Sequence, residues 1–207
     1  MIEKSKSFLI ILSAPSGGGK STILNEILKL TDDIDYSVSF TTRSPRGEEE
    51  DGTHYHFVDE AEFIHRIDSK DFLEHARVFG NWYGTSISYI QSRLKLSRHV
   101  IMDIDVQGAA QISATEIPYI KIFIIPPSMR ILRERLIKRG TDSPEEIEKR
   151  LGIATDEIKF ISHYDYLVIN DQLPRAITEV LAIIRAEENR VSRYHEPIEG
   201  FMNEENE

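Results

Sequence analysis

Leu9-Ile10-Ile11-Leu12-Ser13-Ala14-Pro15-Ser16-Gly17-Gly18-Gly19-Lys20-Ser21-Thr22 decides the architecture of this chain. The apolar run from Phe8 to Leu12 reads as a buried strand, and Ile23, Leu24, Ile27, Leu28 and Leu30 then recur at helical spacing. Strand, glycine loop and helix in that order make a phosphate-binding loop. Glycines let successive backbone N–H groups turn inward toward a polyphosphate, and the helix N-terminus adds its positive dipole end. Ser16, Gly17, Gly18, Gly19, Lys20, Ser21 and Thr22 are therefore the phosphate-contacting candidates, with Lys20 as a point charge and Ser21 as a hydroxyl for Mg2+. Ala14 stands where the strict GxxxxGK[ST] pattern has glycine; the loop tolerates it provided φ there is negative.

Further along, His99 to Asp105 reads as a second buried strand ending in acids. Ile120–Ile125 is a third, stopped by Pro126-Pro127, and Tyr166–Asn170 is a fourth. Helical patterns between them predict an α/β fold, a three-layer sandwich around a parallel sheet covered on both faces. Two stretches break that rhythm. From about Tyr36 to Tyr89 alternation such as Thr53-His54-Tyr55-His56-Phe57-Val58 predicts a small strand-rich insertion. From Met129 to about Ile161 the chain is charged and helical. Within it, Ser143, Pro144 and Glu146 form a helix start with a capping box, followed by an apolar face at Ile147, Leu151, Ala154 and Ile158. Pro174 opens a last amphipathic helix, predicted to run to about Tyr194. The expected division is a core of residues 1–36, 90–128 and 165–195, an insertion at 37–89, a lid at 129–164 and an acidic, disordered tail at 196–207.

Lys plus Arg is 25 and Asp plus Glu is 35 among 207 residues, a net charge of −10, which excludes a general nucleic-acid binder. The absence of cysteine excludes disulfides, thiolate metal sites and a cysteine nucleophile. No apolar run approaches the roughly 18 residues of a membrane span, and Phe8–Leu12 is too short for the core of a signal peptide. A cytoplasmic protein, monomer or homodimer, with small-molecule partners and neither nucleic acid nor membrane, is expected.

Against that acidic background three basic or polar groupings stand out. Arg43 and Arg46, three apart and joined through Pro45, can close two guanidinium forks on a phosphate dianion, with Tyr55, Tyr83 and Thr85 as hydroxyl donors in the same insertion. Asp103 and Asp105 end the second strand, where a carboxylate beside a phosphate loop can hold Mg2+; alternation sends both to one face. Arg130, Arg133, Arg135, Lys138 and Arg139 crowd one helix, with Arg150 on the next. The bland reading of a solvated helix face suits Arg130; the sharper one is a lid that closes on phosphates. Trp82 reads as packing rather than as a stacking platform.

Ala14-Pro15-Ser16-Gly17-x-Gly19-Lys20-Ser21-Thr22, Ser37-Val38-Ser39-Phe40-Thr41-Thr42-Arg43-Ser44-Pro45-Arg46, Gly80-Asn81-Trp82-Tyr83-Gly84-Thr85 and Asp103-Ile104-Asp105-Val106-Gln107-Gly108 together resemble guanylate kinases, and the similarity continues to Val168-Ile169-Asn170-Asp171. The resemblance implies ATP over the phosphate loop, GMP in the insertion and transfer of the γ-phosphoryl group with Mg2+ held at Ser21 and Asp103. It implies Arg43, Arg46, Tyr55 and Tyr83 on the GMP phosphate, and Ser39, Glu74, Thr85 and Asp105 around guanine. It also implies Asn170 on the adenosine side of ATP, and Lys20, Arg43, Arg139 and Arg150 in catalysis, with Arg135 a less clear match. Chemistry supports Glu74 separately: one carboxylate can accept from the adjacent N1–H and N2–H2 donors of guanine, whereas adenine would turn a lone pair toward it. Thr85 stands where the family commonly has Ser. Two rivals remain at this level: a nucleoside monophosphate kinase with another base preference, and a binding module of the same fold that recognises protein ligands.

Overall fold

The computed structural model of the chain describes residues 7–78, 80–96, 98–112, 116–140 and 142–194; the acidic stretch 196–207 lies outside the described residues. In chain order the first half holds β1 (Leu9–Ser13), α1 (Lys20–Leu30), β2 (Ile34–Tyr36), β3 (Phe40–Thr41), β4 (His56–Phe57), α2 (Glu60–Asp68), β5 (Phe72–Val78), β6 (Asn81–Ser86) and α3 (Ile87–Lys95). The second half holds β7 (His99–Asp103), α4 (Val106–Ile112), β8 (Tyr119–Ile125), α5 (Met129–Arg139), α6 (Pro144–Ile158), β9 (Tyr166–Ile169) and α7 (Leu173–Glu188).

Five parallel strands in the order β2-β7-β1-β8-β9 form the main sheet, as the alternation of strands and helices predicts. β1 lies at its centre and is buried throughout. Its side chains alternate between two cores. Ile10 and Leu12 join Ile23, Leu24 and Ile27 of α1 and Ala176, Ile177, Val180 and Ile184 of α7 on one face. Leu9 and Ile11 join Ile90 of α3 and Ala109 and Ile112 of α4 on the other. A strand buried on both faces must be apolar at every position, which is why Leu9–Leu12 reads as a continuous run.

Four details differ from the sequence expectation. β2 is added to the sheet; three residues with Asp35 in the middle carry no apolar run, and pairing with β7 rather than hydrophobicity makes the strand. β7 ends at Asp103, so Asp105 is not a strand residue on the same face but a loop residue whose Oδ1 accepts the Gly108 N–H at 2.9 Å, at the first turn of α4. Thr53–Val58 is a turn with only His56–Phe57 in strand, because His54 and Thr53 N–H groups bond back to Glu50 O. α7 stops at Glu188; Arg190 is extended and a short 3-10 turn, Val191–Arg193, follows.

The second sheet, in the order β4-β3-β6-β5, is mixed: β3 and β4 are parallel, the other pairs antiparallel. β5 slips register between Phe72 and Glu74. Leu73 then packs into the main core beside Ile90 and Met102, while Glu74 is buried on its own account. Gly84 of β6 is needed for its size, since a Cβ there would press on the rings of Phe63 and Phe72. Trp82 stacks on Phe63 at 5.8 Å and donates to Glu60, which makes it a packing residue.

α5 and α6 share a separate small core of Leu132, Leu136, Ile147, Leu151 and Ala154. The capping box at Ser143 and Glu146 is present, with Pro144 at the first position. Arg130 is an exposed partner of Glu134. No helix among the described residues is long and apolar enough to cross a membrane.

Candidate active site

A cleft of about 1010 Å³ opens where β1, β7, β9 and the second sheet meet, beyond the C-terminal ends of the parallel strands. The glycine loop forms one wall. Gly17 and Gly19 have φ of 89° and 95°, and Gly18 N–H donates to Pro15 O at 2.8 Å, so that amide is used within the loop. Ala14 keeps a negative φ, as the loop requires; Lys70 alone among the described non-glycine residues has a positive one. Lys20 Nζ lies 3.6 Å from Asp103 Oδ2 and donates to Ile104 O at 3.3 Å, so the loop lysine is held by the end of β7. Asp103 Oδ1 accepts from Tyr36 at 2.7 Å, a partner the sequence analysis did not name.

Asn170, just past β9, donates through Nδ2 to Gly18 O at 2.9 Å and is buried. Its amide so covers Gly19 that no Cβ fits there. Arg135 of α5 donates to Asn170 O at 2.7 Å, and Leu132 and Leu136 of the same helix lie against Gly17. Arg150 of α6 donates to Ser16 Oγ at 2.9 Å and pairs with Asp142 at 3.1 Å. Arg139 is exposed and lines the cleft. The two helices are thus fastened to the glycine loop through Arg135 and Arg150.

On the opposite wall Glu74 is 3% exposed. Thr85 Oγ1 donates to it at 2.6 Å and lies 3.4 Å from Ser39 Oγ. Burial, reinforced by the charge of Asp105, pushes the Glu74 carboxyl up to about 7. Gly108 of α4 approaches so closely that a Cβ there would collide with Glu74 Oε2. Glycine in the Asp103–Gly108 motif therefore makes room for a buried carboxylate, which sequence spacing cannot reveal.

The expected phosphate-binding pair is divided. Arg46 is exposed and lines the cleft beside Tyr55 and Tyr83. Arg43 is buried behind them: Nη1 and Nη2 donate to Glu49 at 2.8 and 3.0 Å, and the guanidinium lies 5.2 Å from the Tyr55 ring. Glu49 also accepts the Arg46 N–H at 2.7 Å. Its carboxyl is held below the usual range, chiefly by the Arg43 hydrogen bond. Sequence reasoning missed Glu49, because nothing in Glu48-Glu49-Glu50-Asp51 marks one acid over its neighbours. Of the residues singled out from sequence, Gly18, Arg43 and Thr85 lie behind the cleft surface; Ser16, Gly17, Gly19, Lys20, Ser21, Thr22, Ser39, Arg46, Tyr55, Glu74, Tyr83, Asp103, Asp105, Arg139, Arg150 and Asn170 line it.

Asp33, His99 and Glu188 converge at the other end of the sheet. His99 Nδ1 accepts the Phe8 N–H at 3.3 Å, which puts the neutral imidazole proton on Nε2, facing Glu188 at 3.4 Å. That nitrogen is a donor to a carboxylate rather than a metal ligand.

The guanylate kinase family model matches residues 6–187. The chain belongs to the guanylate kinase family. A guanylate kinase of Clostridium perfringens is 45% identical over 194 residues, covering 94% of this chain and 90% of that protein. One of Thermotoga maritima is 41% identical over 199 residues, with 96% of each chain covered. The crystal structure of guanylate kinase from Anaplasma phagocytophilum superposes with a TM-score of 0.78 at 34% identity, covering 93% of this chain and 92% of that one. Family membership therefore extends over the glycine loop, the second sheet and α5–α6 alike.

Proposed function

We propose that this member of the guanylate kinase family transfers the γ-phosphoryl group of ATP to GMP, giving ADP and GDP. The observation that carries the reading is the shared cleft. A glycine loop with Lys20 faces a buried Glu74, whose carboxylate can accept both donors on the guanine edge. Ser39, Thr85 and Asp105 complete the guanine pocket, Thr85 by orienting Glu74. Arg46, Tyr55 and Tyr83 bind the acceptor phosphate directly, and Arg43 does so with the edge of its guanidinium that Glu49 leaves open.

A GMP phosphate oxygen attacks the γ-phosphorus, the bond to the β–γ bridging oxygen breaks, and ADP leaves. The attacking oxygen is already anionic, so no general base is needed. Positioning and charge carry the catalysis. Ser16, Gly17, Gly19, Lys20 and Thr22 hold the ATP phosphates, Gly18 and Asn170 hold the loop in shape, and Arg139 and Arg150 offset charge on the moving group. Ser21 and Asp103, hard oxygen donors on the same cleft, fit a magnesium ion. Held by Ser21 and Asp103, such an ion would offset the phosphate charge.

The chain divides for this purpose into a core (1–36, 90–128 and 165–195), an acceptor-binding insertion (37–89) and a lid (129–164) that excludes water on closing. The separate apolar core of α5 and α6 supports a lid that moves as a unit. The reading places the enzyme in the cytoplasm with its nucleotides. The deciding experiment is ADP release from ATP and Mg2+ with GMP, AMP, UMP and dTMP offered separately. Rapid turnover with GMP alone is expected. Turnover with another acceptor would discard the Glu74 assignment, and none at all would discard the kinase.

A further inference from the structure

α6 delivers a carboxylate to the cleft that the proposed reaction does not use. Glu157, in its last turn, lines the cavity with Lys20 and Asp105, and its Oε2 is buried without a hydrogen-bond partner among the described residues. The charges that act on it are those of Asp105 and Lys20. A buried carboxylate oxygen without a donor is costly, and a bound ligand is the natural source of one.

The donors a nucleotide can offer are few. Phosphate oxygens only accept. The N1–H and N2–H2 groups of guanine belong, in the proposed reading, to Glu74 and its neighbours. In the proposed reading Asp105 marks the base end of the acceptor and Lys20 the ATP γ-phosphate that the acceptor attacks; between them lies the acceptor ribose, whose hydroxyls are donors. A hydrated metal ion is the weaker choice, because Asp103, Asp105 and Glu157 do not converge as a ligand set among the described residues. We infer that Glu157 accepts a hydrogen bond from a ribose hydroxyl of the acceptor nucleotide and makes this chain prefer a ribonucleotide over its deoxy analogue. The inference rests on the GMP kinase reading and adds a specificity-determining residue to it.

The test is kcat/KM for GMP, 2′-deoxy-GMP, 3′-deoxy-GMP and IMP with the wild-type chain and the Glu157→Gln and Glu157→Ala variants. Wild type is expected to favour GMP over at least one deoxy analogue by about tenfold, the size of one charged hydrogen bond. In both variants the gap should close to about twofold through loss on GMP, with the GMP-to-IMP ratio unchanged. Partial misfolding lowers all four rates together and leaves the ratios intact, so a folding defect cannot imitate the result. A wild type with no deoxy preference, a preference that survives both variants, or a shift in the IMP ratio instead would overturn the inference. If wild type turns over AMP but not GMP, the reading of GMP as the acceptor itself fails, and the inference falls with it.

Discussion

Glu49 and Arg43 face each other as a two-point ion pair, Nη1 to Oε2 at 2.8 Å and Nη2 to Oε1 at 3.0 Å, and the same carboxylate takes the Arg46 N–H at 2.7 Å. One acid therefore sets both arginines of the Arg43–Arg46 pair. Nη1 is also spent on Ser44 O at 2.7 Å, and Tyr83 meets the same guanidinium.

Glu49→Ala is expected to raise the KM for GMP about tenfold or more and to leave the KM for ATP near its wild-type value, in steady-state kinetics with each substrate varied. Glu49→Gln, which keeps one acceptor oxygen, should fall between. A lower KM for GMP in the alanine variant would mean that Glu49 competes with the acceptor phosphate instead of orienting Arg43.

Gly108→Ala tests the fit between α4 and Glu74. Gly108 has no positive φ, so alanine costs nothing in backbone terms and even favours the helix. Its Cβ has no space except that of Glu74 Oε2. The variant is expected to keep its thermal midpoint within a few degrees while GMP affinity, measured by calorimetry, falls at least tenfold. Unchanged affinity would mean that Glu74 can shift without loss and is not the base-reading group.

The main sheet was legible because β1, β7 and β8 are buried on both faces, and each therefore announces itself as an apolar run. β2 was not, since three residues around Asp35 join the sheet only by pairing with β7. In the cleft, the residues found from sequence are those whose own chemistry faces a ligand, such as Lys20 and Glu74. Those missed act on other protein groups. Glu49 orients Arg43, and Tyr36 holds Asp103; each pairing joins positions whose proximity exists only after folding or within an unremarkable acidic run.

Glu74 links acceptor binding to pH. Its carboxyl sits near 7 rather than the ordinary 4.5, mainly through burial. Protonation therefore favours the folded, ligand-free chain: that contribution is complete below about 4.5 and is lost as pH rises through about 7. Glu157, raised to about 7 for the same reason, acts in the same direction. Guanine needs the ionised carboxylate, so GMP binding near pH 7 should release protons, seen as a dependence of the calorimetric enthalpy on the ionisation enthalpy of the buffer. Glu74→Gln should reduce that release and flatten the fall in thermal midpoint between pH 5 and pH 8. Proton uptake on binding would contradict the assignment.

Asn170 distinguishes two ways of serving ATP. The family resemblance puts it on the adenosine side, but its side-chain Nδ2 is spent on Gly18 O at 2.9 Å, while its backbone carbonyl accepts from Arg135 at 2.7 Å. A side chain committed in this way shapes the loop rather than reading a base. Asn170→Ala should therefore free the Gly18 carbonyl, raise the KM for ATP and lower kcat together. The dissociation constant for GMP measured without ATP should stay unchanged, and so should the preference for ATP over GTP as donor. If kcat holds and the donor preference relaxes instead, Asn170 reads adenine directly and the loop stands without it.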